Sequence, residues 1–185
     1  RDRFAPRQPR PQSGSPDLWL SSAPANQAGL DFIAQKASEM GCRRIWPVRT
    51  DHCQVTRVND DRMMANAIEA AEQTERLDVA EVLPFTPLSE ALAACGEDRT
   101  LLFCDEASAD DADANAIARL AAAVPIDRAA VLIGPEGGFS AAERAHLSSV
   151  RNSLKLSLGP RILRADTAAI AALTCSQAVC GDWAR

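Results

Sequence analysis

Two glycine-containing loops, at positions 134–138 and 159–160, are the features of this sequence that could do chemistry. The first loop reads Gly-Pro-Glu-Gly-Gly and follows the apolar run 129–133 directly. Glycine permits positive φ and a close approach of a ligand to the backbone, so such loops can bind a ligand through main-chain groups. Neither loop has the spacing of a dinucleotide fingerprint or of a P-loop. A plain strand-to-helix connection is an equally simple interpretation of a single glycine-rich turn.

The second loop adds polar side chains to this pattern. Residues 151–164 include four basic residues and no acidic one, although the chain has a formal net charge of −5. Arg164, Asp166 and Thr167 come just before an Ala-rich stretch that we predict to be helical from Ala168. Free backbone N–H groups and polar side chains converge at a helix start, so this loop is also suited to ligand binding.

The elements around the loops predict an α/β fold. The apolar run 129–133 is typical of a strand that is buried on both faces. Ser140 and Glu143 form a capping-box pattern, so a helix should begin at Ala141. Strands and helices alternate along the chain, which indicates a mostly parallel sheet with helices on both faces. Ligands bind at the carboxyl edge of such sheets, where both loops would lie.

The remaining elements follow from periodicity and breaker residues. A helix should begin after Asn26 or Asp31 and end at Gly41, and Pro47 should lie near a sheet edge or strand end. A helix over 60–76 should bury Met64, Ala67, Ile68 and Ala71. Further strands are predicted over 18–20, 44–48, 79–83, 100–104 and 154–158, and further helices over 88–94 and within 110–123.

Composition limits the function classes. The 185 residues suffice for one domain with a real core. No run is long enough to span a membrane, and we see no signal peptide. The six cysteines form no C-x-x-C pair and have no histidine at metal spacing, so we expect reduced thiols, no metal and a cytoplasmic location. Residues 1–17 are rich in Arg and Pro and read as a linker.

The two loop motifs together resemble a known family. Residues 133–140 read Ile-Gly-Pro-Glu-Gly-Gly-Phe-Ser, and residues 158–164 read Leu-Gly-Pro-Arg-Ile-Leu-Arg, followed by an acidic residue and Thr167. Segments 35–41 and 69–76 fit the same pattern. The chain therefore resembles the RsmE-type ribosomal RNA methyltransferases of the SPOUT, or α/β-knot, superfamily. The resemblance extends over about residues 18–183.

This resemblance implies an architecture that periodicity does not. Periodicity alone favours an unknotted Rossmann-like sheet, because knots are rare. The family implies a C-terminal trefoil knot in a SPOUT methyltransferase domain over 18–185, with a second subunit completing the site in a homodimer. It also implies that 1–17 is a linker or remnant of an N-terminal PUA-like RNA-binding domain, most of which we expect to be absent.

The resemblance further implies S-adenosylmethionine as cofactor and N3 of a uridine in small-subunit ribosomal RNA as methyl acceptor. The cofactor would lie among the loops that follow three neighbouring strands. By the resemblance, the cofactor-binding residues are Phe103, Cys104, Gly134, Pro135, Glu136, Gly137, Gly138, Leu158, Gly159, Ile162, Leu163 and Thr167.

Three residues of the motifs are candidates for catalysis. Arg164 could hold the uracil oxygens or a phosphate, and Glu136 or Asp166 could accept the N3 proton. Alternatively, Arg164 pairs with Asp166, and Glu136 holds its own loop by accepting backbone hydrogen bonds. His52 and His146 lie outside the motifs, and we expect both to be ordinary surface residues.

Two other functions fit the same sequence. A SPOUT methyltransferase of different RNA specificity, such as ribose 2′-O transfer, would share both motifs. A non-catalytic RNA-binding or ribosome-assembly module could keep the scaffold without the chemistry. Cofactor binding and mapping of the methylated atom distinguish these possibilities.

Overall fold

The structure, a computed structural model, describes residues 16–108 and 114–184, so most of the predicted linker lies outside the described residues. Within these ranges the chain forms seven strands and six α-helices. The strands are β1 (Asp17–Ser22), β2 (Arg44–Arg49), β3 (Glu81–Val82), β4 (Thr86–Pro87), β5 (Thr100–Cys104), β6 (Arg128–Ile133) and β7 (Ser153–Leu156). The helices are α1 (Gln27–Glu39), α2 (Asp60–Gln73), α3 (Leu88–Cys95), α4 (Ala116–Ala123), α5 (Ala141–Ser149) and α6 (Ala165–Val179).

The strands form one sheet in the order β3-β2-β1-β6-β5-β7, and β4 pairs with β2 beside β3. All the pairings are parallel, which confirms the predicted α/β class. In the register, Ser22 and Cys104 both flank Ile133, and Cys104 is also opposite Leu156. Four strands therefore end in one row, and the loops that follow leave the same edge side by side.

Each face of the sheet has its own apolar layer. On one face, Leu20, Leu102 and Val131 pack in a cluster with residues of α1, α2, α4 and α6. On the other face, Phe103 and Leu132 pack in a cluster with residues of α3 and α5. Consecutive residues of a strand point to opposite faces, so a strand covered on both sides is apolar throughout, as predicted for 129–133.

Local signals set several boundaries. The Ser140 capping box is present, and α5 begins at Ala141 as predicted. Asn26 caps α1 by accepting a hydrogen bond from the Gly29 N–H, which decides between the two predicted caps. The last helix, α6, begins at Ala165, three residues before the predicted start.

The predicted inward face of α2 was wrong in part. In α2 the buried residues are Met63, Ala67, Ala70 and Ala71, whereas Ile68 is 41% exposed. The buried face of the helix, which packs on α1, therefore includes Met63 and Ala70 instead of Ile68. The prediction that Pro47 lies near a sheet edge is confirmed, because the short strands β3 and β4 form the edge next to strand β2. Pro47 is opposite Ser22 of β1, while β3 and β4 pair with β2 on either side of that position.

No helix among the described residues has both the length and the apolar character needed to cross a membrane.

A buried arginine holds the amino edge of the sheet together. Arg99 is 6% exposed, and its Nη1 donates to the Asp17 and Ala129 carbonyl oxygens at 2.8 and 3.3 Å. Its Nη2 contacts Asp17 Oδ2 at 2.9 Å, and the guanidinium lies 3.7 Å from the Trp19 ring centroid. Burial by itself would raise the pKa of Asp17, but the hydrogen bond and charge of Arg99 outweigh it and lower the pKa.

We therefore expect Asp17→Asn to destabilise the protein at neutral pH by about 1–3 kcal/mol, because it leaves Arg99 without its carboxylate. A carboxyl group with a lowered folded-state pKa stabilises the fold above its unfolded-state pKa, and this stabilisation is lost as the pH falls through the folded-state pKa. Urea unfolding of both proteins over a pH series should show the difference shrinking in acid. Glu39→Gln, which breaks the surface pair with Lys36, is the control and should change stability little. A pH-independent difference would contradict the assignment.

Candidate functional site

A cleft lies where β5, β6 and β7 end, and its empty volume is about 560 Å³, part of it open to solvent. Its walls come from the three loops after these strands and from the start of α6. The lining residues are Cys104, Asp105, Glu106, Ile133, Gly134, Pro135, Gly138, Phe139, Leu156, Ser157, Leu158, Gly159, Arg161, Leu163, Ala165 and Ala168. An apolar cleft with a few polar groups at its rim is typical of a small-molecule site.

The first glycine loop folds into a tight turn. The Gly138 N–H donates to the Pro135 carbonyl oxygen at 2.8 Å, and Gly138 has a φ of +64°, which disfavours other residues. A Cβ at Gly138 would lie 2.7 Å from Glu106 Oε1, and one at Gly134 would lie 3.2 Å from the Phe139 ring. These glycines therefore allow the loop to close over the cleft.

The second loop is held by the chain just before α4. The Ser157 N–H donates to the Ala114 carbonyl oxygen at 2.7 Å, and the Ser157 carbonyl oxygen accepts from the Ala116 N–H at 3.1 Å. The Ser157 hydroxyl accepts a bond from the Gly159 N–H at 3.3 Å. These bonds extend the β7 edge, so the loop leaves the sheet in a fixed direction.

Charged groups of both signs surround the cleft. The Asp105 side chain is 5% exposed and accepts hydrogen bonds from Arg144 Nε at 3.0 Å and from the Ala107 N–H at 3.3 Å. Glu106 and Arg161 also line the cleft, and both are exposed. The negative charge of Asp105 is thus compensated inside the protein, whereas Glu106 and Arg161 can face a ligand.

The Cys104 thiol forms part of the cleft wall. Burial raises its pKa to about 12, and the neighbouring Cys175 acts in the same direction. The thiol therefore stays protonated at neutral pH and behaves as a small apolar surface. No group of histidine, cysteine and acidic residues within the described ranges could hold a metal ion.

The structure brings seven of the twelve predicted cofactor-binding residues to the cleft. These are Cys104, Gly134, Pro135, Gly138, Leu158, Gly159 and Leu163. The other five do not line it. Phe103 is buried in the apolar layer that packs on α3 and α5. Ile162 is 78% exposed, and the remaining three, Glu136, Gly137 and Thr167, are also exposed.

The three predicted catalytic residues lie around the cleft rather than in its wall. Arg164 is exposed and occupies the N-cap position of α6. Asp166 Oδ1 accepts a hydrogen bond from the Thr167 N–H at 2.7 Å. No ion pair between Arg164 and Asp166 occurs among the described residues, and Glu136 accepts no hydrogen bond from them. The roles of all three stay predictions.

Several residues of this site were not predicted from the sequence. Asp105, Glu106 and Arg161 line the cleft but were not predicted to be site residues. The first two follow β5 directly, so the rule that sites lie at strand carboxyl ends could have found them. His52 was expected to be an ordinary surface residue. It is exposed, but its Nδ1 lies 3.0 Å from the Gly137 carbonyl oxygen.

We expect Arg144→Met to destabilise the protein by about 1–3 kcal/mol, because it leaves the buried Asp105 carboxylate without its cation. Adding Asp105→Asn should recover much of this loss, since a neutral amide needs no counter-charge. Asp105→Asn alone should also destabilise the protein. Denaturant unfolding of the three variants gives the coupling energy. Strictly additive losses would contradict the assigned pair.

Comparison with known proteins places this chain in a family. Residues 13–177 match the RNA methyltransferase domain family. The chain is 33% identical over 156 residues to ribosomal RNA small subunit methyltransferase E of Rickettsia conorii, covering 84% of this chain and 62% of that protein. The chain spans less than two thirds of the length of the curated relatives it matches.

Solved structures agree with this match. The ribosomal RNA small subunit methyltransferase E of Neisseria gonorrhoeae, bound to S-adenosyl methionine, is 28% identical with a TM-score of 0.75, covering 90% of this chain and 68% of that one. A putative methyltransferase of Legionella pneumophila in complex with the same cofactor is 29% identical with a TM-score of 0.73. The match covers 91% of this chain and 68% of that one. The predicted RsmE-type resemblance and the SPOUT-type fold class are confirmed, while the trefoil knot stays a prediction. This chain belongs to the RNA methyltransferase domain family.

Proposed function

We propose that this protein is an S-adenosylmethionine-dependent methyltransferase that acts on N3 of a uridine in small-subunit ribosomal RNA. The observation that carries the proposal is the cleft at the ends of β5, β6 and β7, in a chain of the RNA methyltransferase domain family. Relatives that contribute to the proposal are named for ribosomal RNA methylation, and one of them has been solved with the cofactor bound.

The residues of the cleft fit this cofactor. Leucine, isoleucine and alanine side chains provide flat apolar walls for an adenine ring, and the two glycine-containing loops provide backbone groups for its edges. The Glu106 carboxylate at the rim can accept hydrogen bonds from ribose hydroxyls. Arg161, also at the rim, can pair with a carboxylate. Bound there, S-adenosylmethionine supplies an activated methyl group on its sulfonium.

The protein's own residues would then orient the acceptor base and handle its proton. N3 of uridine carries a proton, so methylation needs a proton acceptor and a group that stabilises the negative charge developing on the uracil oxygens. Arg164 is exposed at the start of α6, where it can contact those oxygens or a phosphate. Glu136 and Asp166 flank the cleft and are the candidate proton acceptors. Comparing the methylation rates of Glu136→Gln and Asp166→Asn would decide between them.

We also propose that the active form is a homodimer with residues 18–185 as its methyltransferase domain and a C-terminal trefoil knot. Ile162 supports this arrangement, because it is 78% exposed in the loop that forms one wall of the cleft. A second subunit that covers this loop would remove the apolar side chain from water and enclose the ligand. Sedimentation analysis of the protein and of Ile162→Asp would test the dimer.

The first test is calorimetric titration with S-adenosylmethionine. We expect the protein to bind it, and we expect Gly138→Trp to weaken binding at least about a hundredfold by filling the cleft. Gly96→Trp is the matched control, because Gly96 has a similar positive φ of +76° but lies at the end of α3, away from the cleft. It should bind with unchanged affinity. Failure of the folded wild-type protein to bind would favour a non-catalytic RNA-binding module.

The second test identifies the acceptor atom. Incubation with small-subunit ribosomal RNA and labelled cofactor, followed by nucleoside mass spectrometry, should give a uridine methylated on N3. Arg164→Ala should lower the rate roughly a hundredfold by removing a charge that stabilises the transition state. The exposed Arg151, which does not line the cleft, is the control, and Arg151→Ala should retain the rate. A methylated ribose would instead identify a 2′-O methyltransferase.

A further inference from the structure

The segment that follows β2 reaches across to the first glycine loop. His52 Nδ1 lies 3.0 Å from the Gly137 carbonyl oxygen and 3.1 Å from the Gly138 carbonyl oxygen. Both neighbours are acceptors, so Nδ1 must carry the proton and donate to the two oxygens. The His52 side chain also packs against the loop, since a Cβ at Gly137 would be 3.4 Å from the His52 Cβ and 3.6 Å from its Nδ1.

Asp51 makes a second connection beside the first. The Ser140 hydroxyl donates to Asp51 Oδ2 at 2.6 Å, and the Asp51 N–H donates to Glu143 Oε1 at 2.8 Å. The other oxygen of Glu143 accepts from the Ser140 N–H at 2.8 Å, as the capping box requires. The segment after β2 therefore contacts the loop in two places: at Gly137 and Gly138, and at Ser140, where the loop ends and α5 begins.

These bonds fix groups that form the cleft. Gly138 and Phe139 both line it, whereas His52 does not. A trans peptide carries its C=O and N–H on opposite sides, so holding the Gly138 carbonyl oxygen at His52 turns the Phe139 N–H to the side away from His52. Two consecutive glycines have the largest conformational freedom of any dipeptide, and this freedom must be lost when a ligand is bound against the loop.

We propose that His52 is a positioning residue for the proposed methyltransferase site, and that it sets cofactor affinity by holding the glycine loop in its binding conformation before the cofactor arrives. The inference rests on the proposed function. It assigns His52 no contact with cofactor or RNA. A loop that is ordered in advance loses less entropy on binding, so the imidazole N–H contributes to affinity through the loop alone.

Three variants test this. His52→Leu keeps an apolar side chain of moderate size and removes the donor. His52→Asn keeps an N–H donor at the same number of bonds from the backbone as Nδ1. His146→Leu is the matched control, because His146 is the other histidine of the chain, is exposed on α5 and does not line the cleft. Both positions are on the surface, so the variants should fold.

We expect His52→Leu to weaken S-adenosylmethionine binding about tenfold, as the loss of one or two modest hydrogen bonds would. His52→Asn should stay within about threefold of wild type, and His146→Leu should be unchanged. Amide hydrogen exchange at residues 137–140 of the cofactor-free protein should accelerate in His52→Leu and not in His52→Asn.

Equal affinities for wild type and His52→Leu would overturn the proposal, and so would equal weakening by Leu and Asn, which would show that the imidazole ring rather than its donor matters. Failure of wild type to bind the cofactor would instead count against the proposed function. The exchange experiment needs no cofactor, so it decides whether His52 orders the loop in either case.

Discussion

The alignment of neighbouring strand ends is the constraint on which this structure depends. Cys104 is opposite both Ile133 and Leu156, so the loops after β5, β6 and β7 begin side by side and can form one cleft. A slip of β5 by one residue would exchange the directions of Cys104 and Phe103. The aromatic ring would then fill the cleft, and the thiol would leave a void in the layer on the other face. The apolar layers on both faces therefore fix the register, and the register creates the site.

Much of the fold was predictable because its signals are local. The run 129–133 is apolar throughout, and the Ser140 capping box marks the start of α5 within four residues of sequence. The face of α2 was not predictable in the same way. Alanines on several sides of this helix are compatible with more than one inward direction, and packing on α1 selects Met63 rather than Met64.

The site was predictable in part, for a related reason. Its loops are identified by glycines whose positive φ or close contacts exclude other residues, and these can be found in sequence. The contacts between its side chains cannot be found in the sequence. Arg144 and Asp105 are 39 residues apart, and His52 and Gly137 are 85 residues apart. No local pattern indicates that these residues meet. Phe103 and Cys104 show a second limit, because adjacent strand residues face opposite sides and only one of them can line a cleft.

The distribution of charge in the cleft follows from the energetics of burial. A buried carboxylate without a counter-charge is destabilising, so Asp105 requires Arg144, and the pair together presents no net charge to a ligand. Among the described residues that line the cleft, Glu106 and Arg161 carry one negative and one positive charge on exposed side chains at the rim. A rim of this kind offers a ligand one anionic hydrogen-bond acceptor and one cationic donor. The proposed cofactor carries ribose hydroxyls that can donate to Glu106 and a carboxylate that can pair with Arg161, so it can satisfy both groups while its adenine ring enters the apolar interior.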